Sequence, residues 1–243
     1  MQNELQYEYD LFNKYYSNYN DSLYGIKMKY EHTIRVMEYA KDIAVNELLS
    51  YADYLIAIKC ALFHDIARFK QWDTYQTFED GKSFDHGDEG YNILKELGYN
   101  DEIVLQSTKY HNKKEVGSEV DDRTKLFCNI TRDADKLDIM ATQGLICQGE
   151  FILTDDIIDA FKNHRLVNNN PNYEHTDAFY IYRMIAFIFD LNFKRSLEIV
   201  KNRNIISDKF ALLRGCCKDP NQLEVLKELE NICNKYIDER ISD

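Results

Sequence analysis

The residues with the clearest chemical potential are histidines and aspartates that recur in order along the first half of the chain. His64 and Asp65 are adjacent within the apolar run 61–69, which has the composition of a buried helix. A single His-Asp pair is more often a half-buried histidine that is hydrogen-bonded to a neighbour than a binding site. The whole series, however, is His32, His64, Asp65, His86, His111 and Asp135. This order predicts a shared binding site.

The order H, HD, H, H, D between about residues 30 and 140 resembles the HD superfamily of metal-dependent phosphohydrolases. The resemblance implies a first metal site formed by His32, His64, Asp65 and Asp135. It implies a second metal site formed by His86, His111 and the shared Asp65. A protein of this kind would cleave a phosphoester bond of a nucleotide or another small phosphorylated metabolite by means of a metal-activated bridging hydroxide.

The resemblance also indicates which cations would face the phosphate. Many HD proteins have a lysine three residues after the aspartate of the doublet, where this chain has Arg68, and Lys136 is a second candidate. We therefore expect Asp65, Arg68 and Lys136 to be catalytic, with Arg68 and Lys136 also binding substrate. The glycine that often precedes this cation is Ala67 here. The Gly-Tyr-Pro signature of the cyclic-dinucleotide phosphodiesterase branch is absent, which disfavours that branch.

Four imidazoles and two carboxylates suit divalent ions, and we expect two per chain. The residues do not choose among Fe, Mn, Zn, Co, Ni and Mg. Some HD-fold oxygenases use the same set of ligands around two irons, so an oxygenase is an alternative. A regulatory HD module that binds a nucleotide without turnover is another. That module is the least favoured interpretation, because binding alone needs no second metal.

The composition sets the fold class and narrows the partners. The chain has 243 residues, of which 44% are hydrophobic, and only two prolines and nine glycines interrupt its periodic segments. We expect an all-α bundle in one domain over residues 1–243, with a metal-binding core at about 30–140 and accessory helices at 141–243. The net charge of −12 argues against long nucleic acid and anionic membranes as partners.

Cysteine usage and the N-terminus bear on the compartment. The six cysteines include no C-x-x-C pair and are interpreted as packing residues in a reduced environment. The N-terminus has no basic region followed by an apolar run, and no stretch approaches the roughly 20 apolar residues that cross a bilayer. The sequence therefore favours a cytoplasmic protein with a small phosphorylated substrate.

Periodicity predicts where the site residues lie. A helix over 30–49 would carry His32 in its first turn, and a single helix over 51–69 would carry the His-Asp doublet. A long loop over 70–87 would be held to the core by its aromatic residues, or would stack them on a nucleobase. A further helix is predicted over 177–199. The two remaining histidines, His164 and His175, are assigned to the surface, although His175 could reach a substrate.

Overall fold

The computed structural model is all-α over the residues that it describes, 4–142, 147, 151–173 and 176–242. The predicted fold class is confirmed. The α-helices are α1 Gln6–Tyr16, α2 Tyr24–Asn46, α3 Tyr51–Phe63, α4 Ala67–Tyr75, α5 His86–Glu96, α6 Glu102–Tyr110, α7 Asp122–Thr142, α8 Asp155–Lys162, α9 Asp177–Ala186, α10 Lys194–Asn202, α11 Ile205–Cys216 and α12 Pro220–Ser242. Short 3-10 helices cover Asp80–Lys82 and Phe187–Asp190.

The chain forms two compact units, residues 1–135 and residues 136–243. The interpretation of the whole chain as one domain stays a prediction. The six predicted metal ligands all belong to the first unit.

In the first unit, α2 packs against α3 and α4, while α6 packs against α3 and α5. Phe12 of α1, Phe63 of α3 and Phe69 of α4 are fully buried there. The ring centroid of Phe12 lies 6.4 Å from that of Phe63 and 5.8 Å from that of Phe69. Truncating a buried phenylalanine to alanine typically costs about 3–5 kcal/mol of folding free energy. This aromatic cluster therefore fixes the helices that carry the central site residues.

The His-Asp doublet lies at a junction between helices. Helix α3 ends at Phe63 and α4 begins at Ala67, with His64, Asp65 and Ile66 in a turn between them. The amide of Ile66 donates to the carbonyl of Phe63 at 3.1 Å, a tighter pattern than that of an α-helix. The prediction of one continuous helix is wrong here. Because this turn contains neither glycine nor proline, the apolar pattern runs through it without a break.

Helix α2 begins earlier than the sequence pattern indicates. It starts at Tyr24, so His32 lies in its third turn and not in the predicted first turn. Trp72 packs directly against the backbone of the first turn. The residue at that point is Gly25, which has no side chain to obstruct the indole. A Cβ atom at Gly25 would lie 2.2 Å from Cδ2 of Trp72. Gly25 therefore leaves space for the indole of Trp72.

The loop before α5 is shorter than predicted, because α4 continues to Tyr75 and the loop covers only residues 76–85. Its end is fixed by Asp85, whose Oδ1 accepts hydrogen bonds from the amides of Gly87 and Asp88 at 3.0 Å. Asp85 is therefore the N-cap of α5. It places His86 at the first residue of α5.

Aromatic residues hold this loop to the first unit, as favoured from the sequence. Phe78 of the loop stacks on Trp72 with ring centroids 4.8 Å apart. Trp72 in turn covers Gly25. Trp72 of α4 therefore contacts both α2 and the loop directly.

In the second unit, α12 packs against α8, α10 and α11, and α9 packs against α8 and α11. The predicted helix over 177–199 is wrong as a single element. Helix α9 ends at Ala186, a 3-10 helix follows, and Leu191 is extended (φ −83°, ψ 134°) before α10 begins at Lys194. The apolar periodicity continues across this bend, so it did not reveal the interruption.

The cysteines agree in part with the packing interpretation. Four are free and buried: Cys60, Cys128, Cys217 and Cys233. Cys147 and Cys216 are instead paired as a disulfide, which the sequence interpretation did not anticipate. Among the helices that the structure describes, none is both long enough and apolar enough to cross a membrane.

Candidate metal centre

The first unit brings all six predicted ligands together in two sets of three. The first set is His32, His64 and Asp135, and the second set is Asp65, His86 and His111. Within each set, one potential ligand atom from every residue lies within 4.8 Å of the others. Five of the six side chains are at least 95% buried, and Asp135 is partly exposed. Both sets are therefore buried, except for the partly exposed carboxylate of Asp135.

Asp65 lies between the two sets and presents one oxygen to each. Its Oδ2 is 3.4 Å from Nε2 of His32 and 3.5 Å from Nε2 of His64. Its Oδ1 is 3.5 Å from Nε2 of both His86 and His111. This is the placement of a carboxylate that bridges two ions.

Hydrogen bonds to the backbone orient two of the imidazoles. Nδ1 of His64 lies 2.7 Å from the carbonyl oxygen of Ala61, and Nδ1 of His111 lies 2.7 Å from that of Thr108. A carbonyl only accepts, so each Nδ1 carries a proton, and in the neutral form of each ring the lone pair of Nε2 is directed into the cluster. In both cases the acceptor is the residue three positions earlier. These rings are thus preset as metal ligands.

The ring nitrogens face one another closely. Nε2 of His86 is 3.0 Å from Nε2 of His111, and Nε2 of His32 is 3.3 Å from Nε2 of His64. Unprotonated nitrogens at such distances repel unless a proton or cation lies between them. With metal–nitrogen bonds of about 2.0–2.1 Å, adjacent ligands of one ion are roughly 3–3.4 Å apart. The donor sets therefore fit divalent ions.

The protonation states favour metal binding. Burial opposes ionisation of Asp65, but Lys29 and the surrounding imidazoles outweigh it and hold the pKa of that carboxyl well below its usual range. Burial, assisted by the charge of Arg68, lowers the pKa of His86 to about 4. Burial also lowers the pKa of His111. At neutral pH these groups are a carboxylate and uncharged imidazoles, the forms that bind metals.

Asp135 projects from α7, with its Oδ1 at 3.1 Å from Nε2 of His32. Burial opposes its ionisation, but hydrogen bonding to His32 and the charge of that ring prevail, so the pKa of Asp135 lies below its usual range. The guanidinium of Arg132, three residues earlier on α7, donates to the carbonyls of Tyr110 and Lys114, at 3.3 and 3.2 Å. It thereby supports the end of α6 beside the second set.

Lys29 is a site residue that sequence reasoning missed. Its Nζ lies 2.7 Å from Oδ2 of Asp65 and 5.2 Å from the centroid of the Phe78 ring. Its position three residues before His32 places both side chains on one face of α2. That position becomes informative only once its partner, Asp65, is located.

Arg68 is close to the doublet but firmly anchored. Its Nη1 donates to Oε1 of Gln71 at 2.5 Å, to the carbonyl of Phe78 at 2.6 Å and to Oδ1 of Asp80 at 3.0 Å. Its Nε lies 3.4 Å from Oδ1 of Asp65 in an ion pair that lacks hydrogen-bond geometry. The guanidinium therefore contributes positive charge to the site and also ties the loop to α4.

The remaining predicted residues lie in the second unit or outside the described residues. Lys136 forms a salt bridge with Asp190, with Nζ and Oδ2 2.9 Å apart. His164 is exposed, as expected, and its ring stacks on Phe189. The prediction for His175 falls outside the described residues.

Comparison with known proteins gives one match. Residues 30–140 match the family model described as HD domain. The matched segment begins two residues before His32 and ends five residues after Asp135, so it contains every residue of the two sets. Neither the curated proteins nor the solved structures gave a match to the chain.

Proposed function

Because the chain belongs to the HD-domain superfamily, whose members are mostly metal-dependent hydrolases, we propose that it is a dinuclear metal phosphohydrolase. Its proposed substrate is a nucleotide or another small phosphorylated metabolite. The observation that carries this proposal is the position of Asp65, with one carboxylate oxygen directed to each set of ligands. A module that only binds a nucleotide would not need a carboxylate shared between two metal sites.

Two bound divalent ions would supply Lewis acidity, lowering the pKa of a water molecule and stabilising the attacking and leaving oxygens of a phosphoryl transfer. The protein's part is to hold the ligands. The backbone carbonyls of Ala61 and Thr108 fix the rings of His64 and His111. Asp65 keeps its negative charge at neutral pH and joins the two sets.

The proposed phosphate-binding cations are Arg68 and Lys29. Both are near Asp65, and both lie over the face of Phe78, at 5.7 and 5.2 Å from its centroid. A transferring phosphoryl group needs positive charge directed at its non-bridging oxygens. Lys136 stays a prediction of the same kind, with its charge already compensated by Asp190.

A small substrate is consistent with the charge of the protein. The chain carries 42 acidic against 30 basic side chains, which disfavours adherence to long polyanions. The cations named above provide positive charge at the site itself. A compact phosphoester can use that local charge without encountering the acidic remainder of the surface.

The decisive experiment is an anaerobic assay of phosphate or nucleoside release from a panel of nucleotides and phosphomonoesters. Mn²⁺, Co²⁺ or Fe²⁺ is supplied to the metal-stripped protein. A hydrolase uses its ions only as Lewis acids, so turnover is expected without oxygen and with more than one metal. Substrate-dependent oxygen uptake by the iron form alone, with no anaerobic turnover, would favour the oxygenase. Tight nucleotide binding with neither activity would favour the regulatory module.

Substitutions test whether the measured hydrolysis takes place at this metal centre. Asp65→Asn should reduce turnover to background, because it weakens both sets at once. Arg68→Ala should lower kcat/KM by about 10²–10³-fold, the usual effect of losing one positioned electrostatic group. Lys70→Ala is the matched control, since Lys70 is an exposed cation on α4 whose Nζ pairs with Glu89. Full kcat/KM in Arg68→Ala would make Arg68 a structural residue only.

A further inference from the structure

Asp80, in the loop before α5, is the meeting point of four polar side chains. Its Oδ2 lies 2.6 Å from Nδ1 of His86 and 3.2 Å from Nδ2 of Asn112. Its Oδ1 lies 3.0 Å from both Nη1 of Arg68 and Nε2 of Gln71. Both oxygens of this carboxylate are thus held, and one of them is directed at a proposed metal ligand.

We propose that Asp80 is a positioning residue that keeps the proton of His86 on Nδ1 and so leaves its Nε2 lone pair available to the second metal. The inference rests on the proposed function, because it assigns a role within the same metal centre. Asp80 is not itself one of the proposed metal ligands. It contacts His86, which is one of them.

The position of His86 explains why it needs a side-chain acceptor. His64 and His111 each donate from Nδ1 to the carbonyl three residues earlier, as residues that follow a helix can. His86 is instead the first residue of α5, and the residues before it form a loop. The 3-10 helix before it ends at Lys82, so no helical turn leads directly into His86 to supply a carbonyl. Asp80 takes that place.

A competing donor makes the acceptor necessary. Nδ2 of Asn112 lies 3.2 Å from Nδ1 of His86, and it also lies 3.0 Å from Oδ1 of Asp85 and 3.2 Å from Oδ2 of Asp80. Two carboxylate contacts identify this atom as the amide nitrogen, since an oxygen there would be repelled. Without Asp80, Nδ1 of His86 would face a donor. The proton would then move to Nε2, which points toward His111.

The carboxylate is held in the required orientation from α4. Arg68 and Gln71 both donate to Oδ1 of Asp80, which directs Oδ2 toward His86. Gln71 is fully buried and also donates to Oγ of Ser83 at 2.7 Å. The bond between Oδ2 and the imidazole is short, as expected for a hydrogen bond to a charged acceptor.

The first test reads the tautomer of His86 directly, by long-range ¹H–¹⁵N NMR of the full metal-free chain, with His86→Gln used to assign the signals. In the wild type we expect a protonated Nδ1 and an unprotonated Nε2. Asp80→Ala should invert this pattern. Asp80→Asn, which keeps the volume and a neutral acceptor, should give a mixture. A wild-type pattern in both variants would overturn the proposal.

The second test measures metal affinity by titration with Zn²⁺ and with Co²⁺. Loss of a group that orients a ligand typically weakens metal binding about 10–100-fold, so one of two equivalents should weaken by that factor in Asp80→Ala. Glu79→Ala is the matched control, because it removes an exposed carboxylate of the same loop that pairs with Lys82 and not with His86. An equal loss in Glu79→Ala, or unchanged affinity in Asp80→Ala, would contradict a specific role of Asp80.

The two tests separate this inference from the proposed function. If the wild type binds fewer than two ions, the dinuclear proposal fails, while the tautomer of His86 still reports on Asp80. If two ions bind and the tautomer does not depend on Asp80, the dinuclear proposal stands and this inference fails.

Discussion

The ammonium of Lys29 lies 2.7 Å from Oδ2 of Asp65, the same oxygen that faces His32 and His64. In the metal-free chain this lysine compensates the charge of a carboxylate that is 4% exposed. An ion bound by the first set would share that task. The lysine and the ion therefore stabilise the same buried charge.

Lys29→Met tests this relationship through stability. Removing one partner of a buried ion pair leaves the other uncompensated, at a cost on the order of 3 kcal/mol. We expect a loss of that size in urea unfolding of the metal-stripped protein, and a smaller loss with Zn²⁺ present. Lys27→Met, at an exposed position of the same helix, is the control. Equal losses with and without metal would show that Lys29 does not share its role with an ion.

Metal content tests the two sets separately. The fully loaded wild type should contain about two ions per chain, and His86→Ala about one, because this substitution removes a ligand of the second set only. Equilibrium dialysis followed by elemental analysis gives the count. His164→Ala, which changes an exposed histidine outside both sets, should keep two ions. A single equivalent in the wild type that His86→Ala leaves unchanged would contradict the dinuclear centre.

The pH dependence of stability follows from the buried imidazoles. Burial lowers the pKa of His86 from 6.5 to about 4, so between these values the unfolded chain binds more protons than the folded chain. Stability of the metal-free protein should therefore fall as the pH falls through this window. For His86 alone the loss is about 2 kcal/mol at pH 5 relative to pH 7.5.

Urea unfolding at pH 7.5, 6 and 5 measures this effect, and His86→Gln should flatten the profile. The carboxyl groups of the site act in a different range. Because the pKa of Asp65 is lowered below 3.8, its contribution to stability is present above that value and is lost only as the pH falls below it. A profile of His86→Gln identical to that of the wild type would contradict the assignment.

Gly25→Ala tests the contact that supports the loop. The added methyl group would lie 2.2 Å from the ring of Trp72, so the indole must move, and overpacking of this kind costs about 1–3 kcal/mol. Trp72 is the only tryptophan, so its fluorescence should report the shift. Gly81→Ala is the control, because a Cβ atom there meets nothing within 4 Å. The free energy of unfolding of that variant should differ from that of the wild type by less than about 0.5 kcal/mol. Equal stability of both variants would mean that Trp72 is loosely packed.

The sequence predicted the fold class and which six residues come together in two sets, but not how those side chains are supported. The order from His32 to Asp135 was informative because histidines are rare in this chain. The junction at His64 was missed because its apolar neighbours suit a helix and a buried turn equally. Asp80 was missed because a loop has no periodicity that shows which side chain turns inward. Lys29 was missed because one lysine among many gives no signal until its partner is located.

The first set of ligands joins distant parts of the first unit. His32 belongs to α2, whereas Asp135 is the last residue of that unit, so an ion held between them would close a loop of about 100 residues. A covalent cross-link of that span restricts the unfolded chain by about 4–5 kcal/mol in the chain-entropy account. The second set, from Asp65 to His111, closes a much shorter loop. Metal at the first set would thus be a reversible cross-link between α2 and the end of the unit, and its removal by a chelator should lower the free energy of unfolding of that unit.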